Sequence, residues 1–247
     1  MSEQTPDTRD APAADPAGVG HEHRDVSGGW LRPTVFGMMD GLVSNFALIA
    51  GVAGASANTS TVSLAGLAGL VGGAFSMATG EYISVRSQNE ATFAELEVER
   101  HELIHNRDAE IAELAQMYVA RGVEPELAAQ VAQQLSRDPD QALVVHAQEE
   151  LGVDPHQLPS PWTAAVSSLL SFTVGAILPL VPYLFGAHSL VASAVIAVLA
   201  LFAAGALSSR FTSRGWLFAG TRQLVLGVLA AAVTFGIGHA FAAGVAA

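Results

Sequence analysis

The amino-acid sequence predicts an all-α membrane protein with five transmembrane helices and a helical domain inserted between the second and the third. Two observations lead to this prediction. Of the 247 residues, 51% are hydrophobic and only 14% are charged, and the charges are concentrated in one block between long apolar runs. Five of these runs reach the roughly 20 residues that a helix needs to cross a bilayer.

The same pattern divides the chain into four segments. Residues 1–30 are acidic and rich in Pro and Ala, so we expect a disordered tail rather than a cleaved signal peptide, with His21 and His23 as incidental histidines. Residues 31–85 hold the first two transmembrane helices, 86–158 the inserted domain and 159–247 the last three helices. The predicted spans are 33–57, 61–84, 162–185, 188–208 and 216–244.

The basic residues predict the orientation. All eleven are arginines, and with five spans each lies on one side of the membrane or within a few residues of it. By the positive-inside rule, we expect the N-terminus and residues 86–158 to be cytoplasmic and the C-terminus to be outside. The expected host membrane is the plasma membrane. The chain has no cysteine, which excludes disulfides and thiolate metal sites.

Residues 86–158, termed the acidic insert below, contain fifteen acidic residues and five arginines, a net charge of −10. This charge excludes nucleic acid as a partner. Apolar spacing predicts four short helices. The first continues from span two, the second begins after an N-cap at Asp108, and the others begin at Pro125 and Pro139.

The insert's glutamates fall on shared helix faces. Glu95, Glu99 and Glu102 lie at i, i+4 and i+7, Glu110 and Glu113 repeat the spacing on the next helix, and Glu149 and Glu150 come near the end of the fourth. Like charges so placed repel, and a bound cation relieves the repulsion. A solvated acidic face is the alternative interpretation.

Residues 101–105 read HELIH and match the H-E-x-x-H pattern of zinc metallopeptidases. A small, all-helical insert offers no sheet edge to align a peptide substrate, and the pattern has only three fixed positions. We therefore expect the chain not to be an enzyme, and a zinc site at His101 and His105 is the alternative interpretation. His105 remains an accessory ligand candidate.

Charged and soft side chains also occur inside the predicted spans. Asp40 lies about seven residues into span one, where a carboxylate costs on the order of 2–3 kcal/mol and is a functional candidate by default. Met77 and Glu81 lie one turn apart on span two, and Met77 is at a depth similar to that of Asp40. Carboxylates with one thioether suit a borderline transition metal such as Fe²⁺.

At these residues the chain resembles the vacuolar iron transporter family, in a bacterial branch related to the nodulin-21-like proteins. The matching segments are DGLVSNFALIAGVAGA in span one, GAFSMATGEYISVRSQNE leaving span two, the glutamate-rich insert, and the entry to span three. The resemblance implies a homodimer of five-span subunits with a cytoplasmic metal-binding domain. It also implies export of Fe²⁺, often with Mn²⁺, in exchange for protons.

The resemblance assigns Asp40 and Met77 to the membrane pathway, and Glu99, Glu102, Glu110, Glu113 and Glu150 to a cytoplasmic metal cluster. Two departures stand out. Where eukaryotic members have a methionine pair before the last cluster glutamate, this chain reads VVHAQEE, so His146 or Glu149 is a substitute ligand candidate. An acidic residue of those members in span two is Gly69 here.

The sequence thus predicts a proton-coupled exporter of Fe²⁺, with Mn²⁺ and Zn²⁺ left open as cargo. Its partners are divalent metal ions, protons, membrane lipid and a second copy of the chain. The rival interpretation is a membrane-anchored metal buffer or sensor, in which the spans only hold the insert.

Overall fold

A computed structural model describes residues 29–55, 58–187, 189–211 and 214–245. These residues form helices and connecting loops without a strand. The helices are α1 (Leu31–Ala55), α2 (Thr59–His105), α3 (Arg107–Ala120), α4 (Pro125–Leu135), α5 (Pro139–His146), α6 (Pro161–Leu184), α7 (Leu190–Ser208) and α8 (Trp216–Val245). The predicted disordered tail and the histidines at 21 and 23 lie outside the described residues.

Five of these helices are long and apolar enough to cross a membrane, which confirms the predicted all-α fold with five transmembrane helices. They are α1, α2, α6, α7 and α8. Their ends lie within two residues of the predicted spans, except that α2 continues far beyond the end of its span. The apolar run determines where each helix begins and ends, because backbone groups inside a bilayer must be paired within the helix.

Helix α1 is at the centre of the membrane bundle and packs against α2, α6, α7 and α8. Glycines let the backbones approach closely: a methyl group at Gly175 of α6 would overlap the carbonyl oxygen of Met38 in α1, and one at Gly238 of α8 would overlap the carbonyl oxygen of Gly51. Small residues at such crossings are typical of helices that pack in lipid. The bundle therefore holds α1 rigidly at two levels.

Helix α2 is a single helix of 47 residues, about 70 Å long, that runs from the membrane bundle into the acidic insert. Helix α5 packs back on its C-terminal part. The contact is apolar: Leu96 of α2 is buried against Leu143 and Ala147, with Leu103 alongside. One continuous helix thus links the insert to the membrane-spanning region, as the sequence predicts.

The helix ends within the insert follow local signals, with one correction. Helices α4 and α5 begin at Pro125 and Pro139 as predicted. The prediction that Asp108 caps α3 is wrong, since α3 begins one residue before it and Asn106 is the N-cap. Asp108 instead lies in the first turn, where its negative charge is favourable beside the helix N-terminus.

Candidate metal centres

Four side chains from the acidic insert converge on one point: Glu99, Glu110, His146 and Glu150. Each offers one ligand atom, and these atoms all lie within 4.8 Å of one another. The ligands of an octahedral ion with bonds of about 2.1 Å lie roughly 3–4 Å apart. Small side-chain rotations are therefore enough to let the four, termed the quartet below, bind one cation.

His146 is at the centre of the quartet and is fully buried. Its Nδ1 lies 2.9 Å from Oε1 of Glu150, 3.0 Å from Oε1 of Glu99 and 3.7 Å from Oε2 of Glu110. One imidazole nitrogen donates at most one proton, so it satisfies only one of these three carboxylates at a time. The Nε2 atom is buried and has no hydrogen-bond partner among the described residues.

Local structure brings the four ligands together. Glu99 lies three residues after the buried Leu96 on α2, so the α5 contact places it on the inner face of that helix. His146 ends α5, and a π-helical turn over Ala147–Leu151 follows, ending at Gly152 with φ 68°. Single π-helical turns occur often at functional sites. This turn directs Glu150 back towards His146.

Burial and repulsion between neighbouring carboxylates raise the pKa of two carboxyl groups in the quartet. Burial, with the charge of Glu150 as the next cause, raises the pKa of Glu99 to about 7. Burial and the charge of Glu113 also raise the pKa of Glu110. A bound divalent cation compensates these clustered negative charges, because metal binding requires deprotonated carboxylates and favours that form.

The other predicted cluster glutamates lie outside the quartet. The Glu102 side chain accepts a hydrogen bond from Asn106, and its Oε1 is 3.9 Å from His101. The charges of Glu102 and Glu113 nevertheless raise the pKa of Glu110, which places both near the quartet's rim. Glu95 is exposed and is not among the four converging ligands.

Two further candidates have other contacts. Glu149 forms an ion pair with Arg121, so its carboxylate is held by α3's C-terminal end. His105 is exposed, and its Nδ1 lies 2.8 Å from the backbone oxygen of His101, with the two rings stacked 4.0 Å apart. The structure therefore does not bring the H-E-x-x-H residues onto one metal position in this arrangement.

A second candidate centre lies in the membrane-spanning bundle. A cavity of ≈ 280 Å³ between α1, α2 and α6 is lined by both Asp40 and Met77. Three further polar side chains, Ser44, Asn45 and Ser76, line the same cavity. The structure thus brings the two predicted pathway residues to one cavity from neighbouring helices.

Glu81 is half-buried one turn beyond Met77 on α2 and does not line this cavity. Arg86, the nearest arginine along the helix, binds Glu90 at 2.6 Å rather than Glu81. Glu81 therefore lies between the cavity and the acidic insert along the axis of α2.

Comparison with known proteins identifies the family. The sequence profile of the VIT family matches residues 31–239. The chain belongs to the VIT family. A vacuolar iron transporter of Acanthamoeba castellanii is 37% identical over 238 residues, covering 90% of this chain and 84% of that protein. Vacuolar iron transporter 1 of Oryza sativa subsp. japonica is 33% identical, covering 89% of this chain and 90% of that protein.

Membership of the VIT family confirms the resemblance to vacuolar iron transporters. It also confirms the prediction that the chain is not an enzyme, because these relatives are named as transporters. It also confirms a multi-pass membrane protein. The relatives are named as vacuolar, whereas the sequence analysis predicted the plasma membrane for this VIT family member.

The sequence alone assigns no role to Asn45, and it makes His146 a less favoured metal-ligand candidate than the cluster glutamates. The signal for Asn45 is an amide in an otherwise apolar stretch, five residues after Asp40. The signal for His146 is its i, i+4 spacing to Glu150, which places both on one helix face.

Proposed function

We propose that this protein is a proton-coupled transporter that moves Fe²⁺, and also Mn²⁺, out of the cytosol. In this proposal the acidic insert is cytoplasmic and collects the metal, and Asp40 and Met77 line its route through the membrane. The family supports a transported metal, since the relatives are named iron transporters. The quartet supports a metal site in the insert, and the cavity supports a metal site within the membrane bundle.

The quartet is the observation that carries the proposal. Three carboxylates and one buried imidazole converge within 4.8 Å, and imidazole with carboxylate oxygen is a donor set that binds first-row transition metals. The buried ring also distinguishes the quartet from a solvated acidic face, because a fully buried histidine among carboxylates is not a surface feature.

The membrane cavity supports a second metal site on the route. Asp40 offers a hard oxygen and Met77 a soft sulfur, a combination that suits Fe²⁺ better than Mg²⁺ or Ca²⁺. A proton arriving at Asp40 or Glu81 competes with the metal for the carboxylate and so favours release. Glu81, between cavity and insert, is the proposed mouth of the route.

The proposed assembly is a homodimer, as the family resemblance implies. The distribution of arginines supports a C-terminus outside, and the proposed host is the plasma membrane. The relatives' vacuolar names leave the host membrane to be tested by localisation of the tagged protein. In either membrane the insert faces the cytosol in this proposal, so metal leaves the cytosol.

The test is a flux assay on purified protein in liposomes with Fe²⁺, Mn²⁺ and Zn²⁺ and an imposed pH gradient. We expect uptake of Fe²⁺ and Mn²⁺ into wild-type vesicles and a loss of uptake in Asp40→Ala. Normal Fe²⁺ flux in Asp40→Ala would overturn the assigned route.

A membrane-anchored buffer or sensor is the second candidate, because the quartet is complete without any residue of the membrane bundle. The two functions differ in one measurement. A buffer binds metal at the quartet and shows no flux in any variant, whereas a transporter needs both Asp40 and the quartet for its full rate.

A further inference from the structure

Asn45 lies in the middle of α1 and is only 2% exposed. Its Nδ2 donates a hydrogen bond of 2.6 Å to the backbone oxygen of Ala176 in α6. Because a carbonyl oxygen only accepts hydrogen bonds, the amide's NH₂ must face α6 and its Oδ1 must face away. Oδ1 is buried and has no hydrogen-bond partner among the described residues.

Gly69 of α2 faces this amide oxygen. A methyl group on Gly69 would lie 2.8 Å from Oδ1 of Asn45 and would also press on Leu48. Both Asn45 and Gly69 line the cavity that holds Asp40 and Met77. Because Gly69 has no side chain, Oδ1 of Asn45 packs directly against α2 in the cavity wall. It stays unpaired there, in a region where an unpaired acceptor is unfavourable.

Asn45 extends the cavity's polar lining away from the insert. It follows Asp40 by five residues, a rise of roughly 7.5 Å along α1. Of the described residues that line the cavity, Asp40 alone is ionisable. An ion that leaves Asp40 in this direction thus meets a neutral amide oxygen instead of a second negative charge.

We infer that Asn45 is a metal ligand of the membrane route, whose Oδ1, beside Gly69 in the cavity wall, receives a divalent cation from Asp40 and Met77. This inference rests on the proposed transport function. Amide and carboxylate oxygens suit Mn²⁺ and similarly hard ions. A neutral ligand also lets the ion leave, because a conduction site must bind weakly enough to release.

The test uses Gly69→Ala in the full-length chain, assayed for Mn²⁺ flux in liposomes. The new methyl group shields or displaces Oδ1 while the amide itself remains, so we expect KM for Mn²⁺ to rise about tenfold, which corresponds to about 1.4 kcal/mol. Gly72→Ala and Gly80→Ala are matched controls on the same helix, since an added Cβ meets nothing within 4 Å at either position. Their KM should stay within twofold of wild type.

A second set of variants separates a ligand from a structural hydrogen bond. Asn45→Leu removes the ligand oxygen and the bond to Ala176, whereas Ser193→Ala removes a comparable buried bond, from Ser193 Oγ to the backbone oxygen of Pro179, away from the cavity. We expect Asn45→Leu to raise KM for Mn²⁺ more than for Zn²⁺. Ser193→Ala should lower the transport of both metals in the same proportion.

Failure of this inference is distinguishable from failure of the proposed function. Equal KM values for Gly69→Ala and Gly72→Ala, in protein that transports Mn²⁺, would overturn the ligand role of Asn45 and leave transport standing. If wild-type vesicles show no flux, transport fails, and equilibrium binding decides on Asn45. For that measurement the quartet is disabled by Glu110→Gln and Glu150→Gln, and the remaining Mn²⁺ site must weaken with Gly69→Ala but not with Gly72→Ala.

Discussion

The buried imidazole of His146 has three carboxylates around one nitrogen and no hydrogen-bond partner, among the described residues, on the other. Such a group is unfavourable without a ligand, because each buried unpaired polar atom costs about 1–3 kcal/mol. A metal ion at Nδ1 changes this balance by neutralising the carboxylates. The side chain is therefore explained better by binding than by stability.

Replacing His146 with Leu should separate these two effects. We expect metal affinity at the quartet to fall about tenfold or more, equivalent to about 1.4 kcal/mol. The stability of the metal-free insert should change much less, because Leu removes the unpaired Nε2 but also removes the Nδ1 partner of Glu150, and these two effects oppose each other. Calorimetric titration with Mn²⁺ and thermal unfolding of the metal-free protein check the two parts. Unchanged affinity would remove His146 from the site.

Glu99 gives the quartet a pH dependence. Its pKa is raised to about 7, so below pH 7 a proton competes with metal, and affinity should fall by up to tenfold per pH unit for one proton. We expect weaker Mn²⁺ binding at pH 6 than at pH 8, measured by calorimetry. A pH-independent affinity between these values would contradict this role for Glu99.

The metal-free protein should show the opposite trend in stability. Because the folded-state pKa of Glu99 lies above its ordinary value of 4.5, the folded protein binds more protons between pH 4.5 and 7. The free energy of unfolding contributed by this group therefore falls as pH rises through that window. Hydrogen exchange of the insert should show this slope in wild type and less of it in Glu99→Gln, whereas an equal slope in both would refute it.

At the scale of helices, the sequence predicts far more than it does at the scale of contacts. Apolar runs mark the ends of α1 and α6–α8 to within about two residues, and prolines mark the starts of α4 and α5, because these signals act locally. The N-cap of α3 was misplaced by two residues, since Asn106 and Asp108 are both good capping residues. The pairing of α2 with α5, which assembles the quartet, depends on tertiary packing and has no local signal.

The stability of α5 should affect metal binding at the quartet. The Asp138 side chain caps α5 by accepting hydrogen bonds from the backbone N–H groups of Asp140 and Gln141. Asp138→Ala should destabilise α5 by about 1 kcal/mol and weaken metal binding, because α5 carries His146. Asp140→Ala is the control, with the same change of charge and no loss of the cap. Hydrogen exchange of α5 amides measures the effect, and equal protection in both variants would show that the cap is unimportant.

On the scale of the whole molecule, α2 joins the two candidate centres. The same helix carries Glu99 of the quartet and Met77 of the membrane cavity, 22 residues apart, a rise of about 33 Å. Asp40 reaches that cavity from α1, which packs against every other membrane-spanning helix. The sequence predicted the shared depth of Asp40 and Met77 from helix direction alone. It did not reveal Asn45, because a single amide in an apolar run does not show which neighbour it faces.

The final prediction concerns coupling between metal and protons across the whole protein. If a proton displaces the metal at Asp40, flux away from the insert should speed up when the opposite side of the membrane is acidic, because protons then arrive at the release side. Asp40→Asn retains the shape of the side chain and removes its carboxylate, so its residual Mn²⁺ flux should respond less to the gradient, because only Glu81 is left to take up a proton. Calorimetric Mn²⁺ binding at the quartet should stay normal. Liposomes with an imposed pH gradient, with and without an ionophore that collapses it, measure the response. Wild-type flux that is indifferent to the ionophore would show that Mn²⁺ moves without protons, and Asp40 would then serve as a ligand alone.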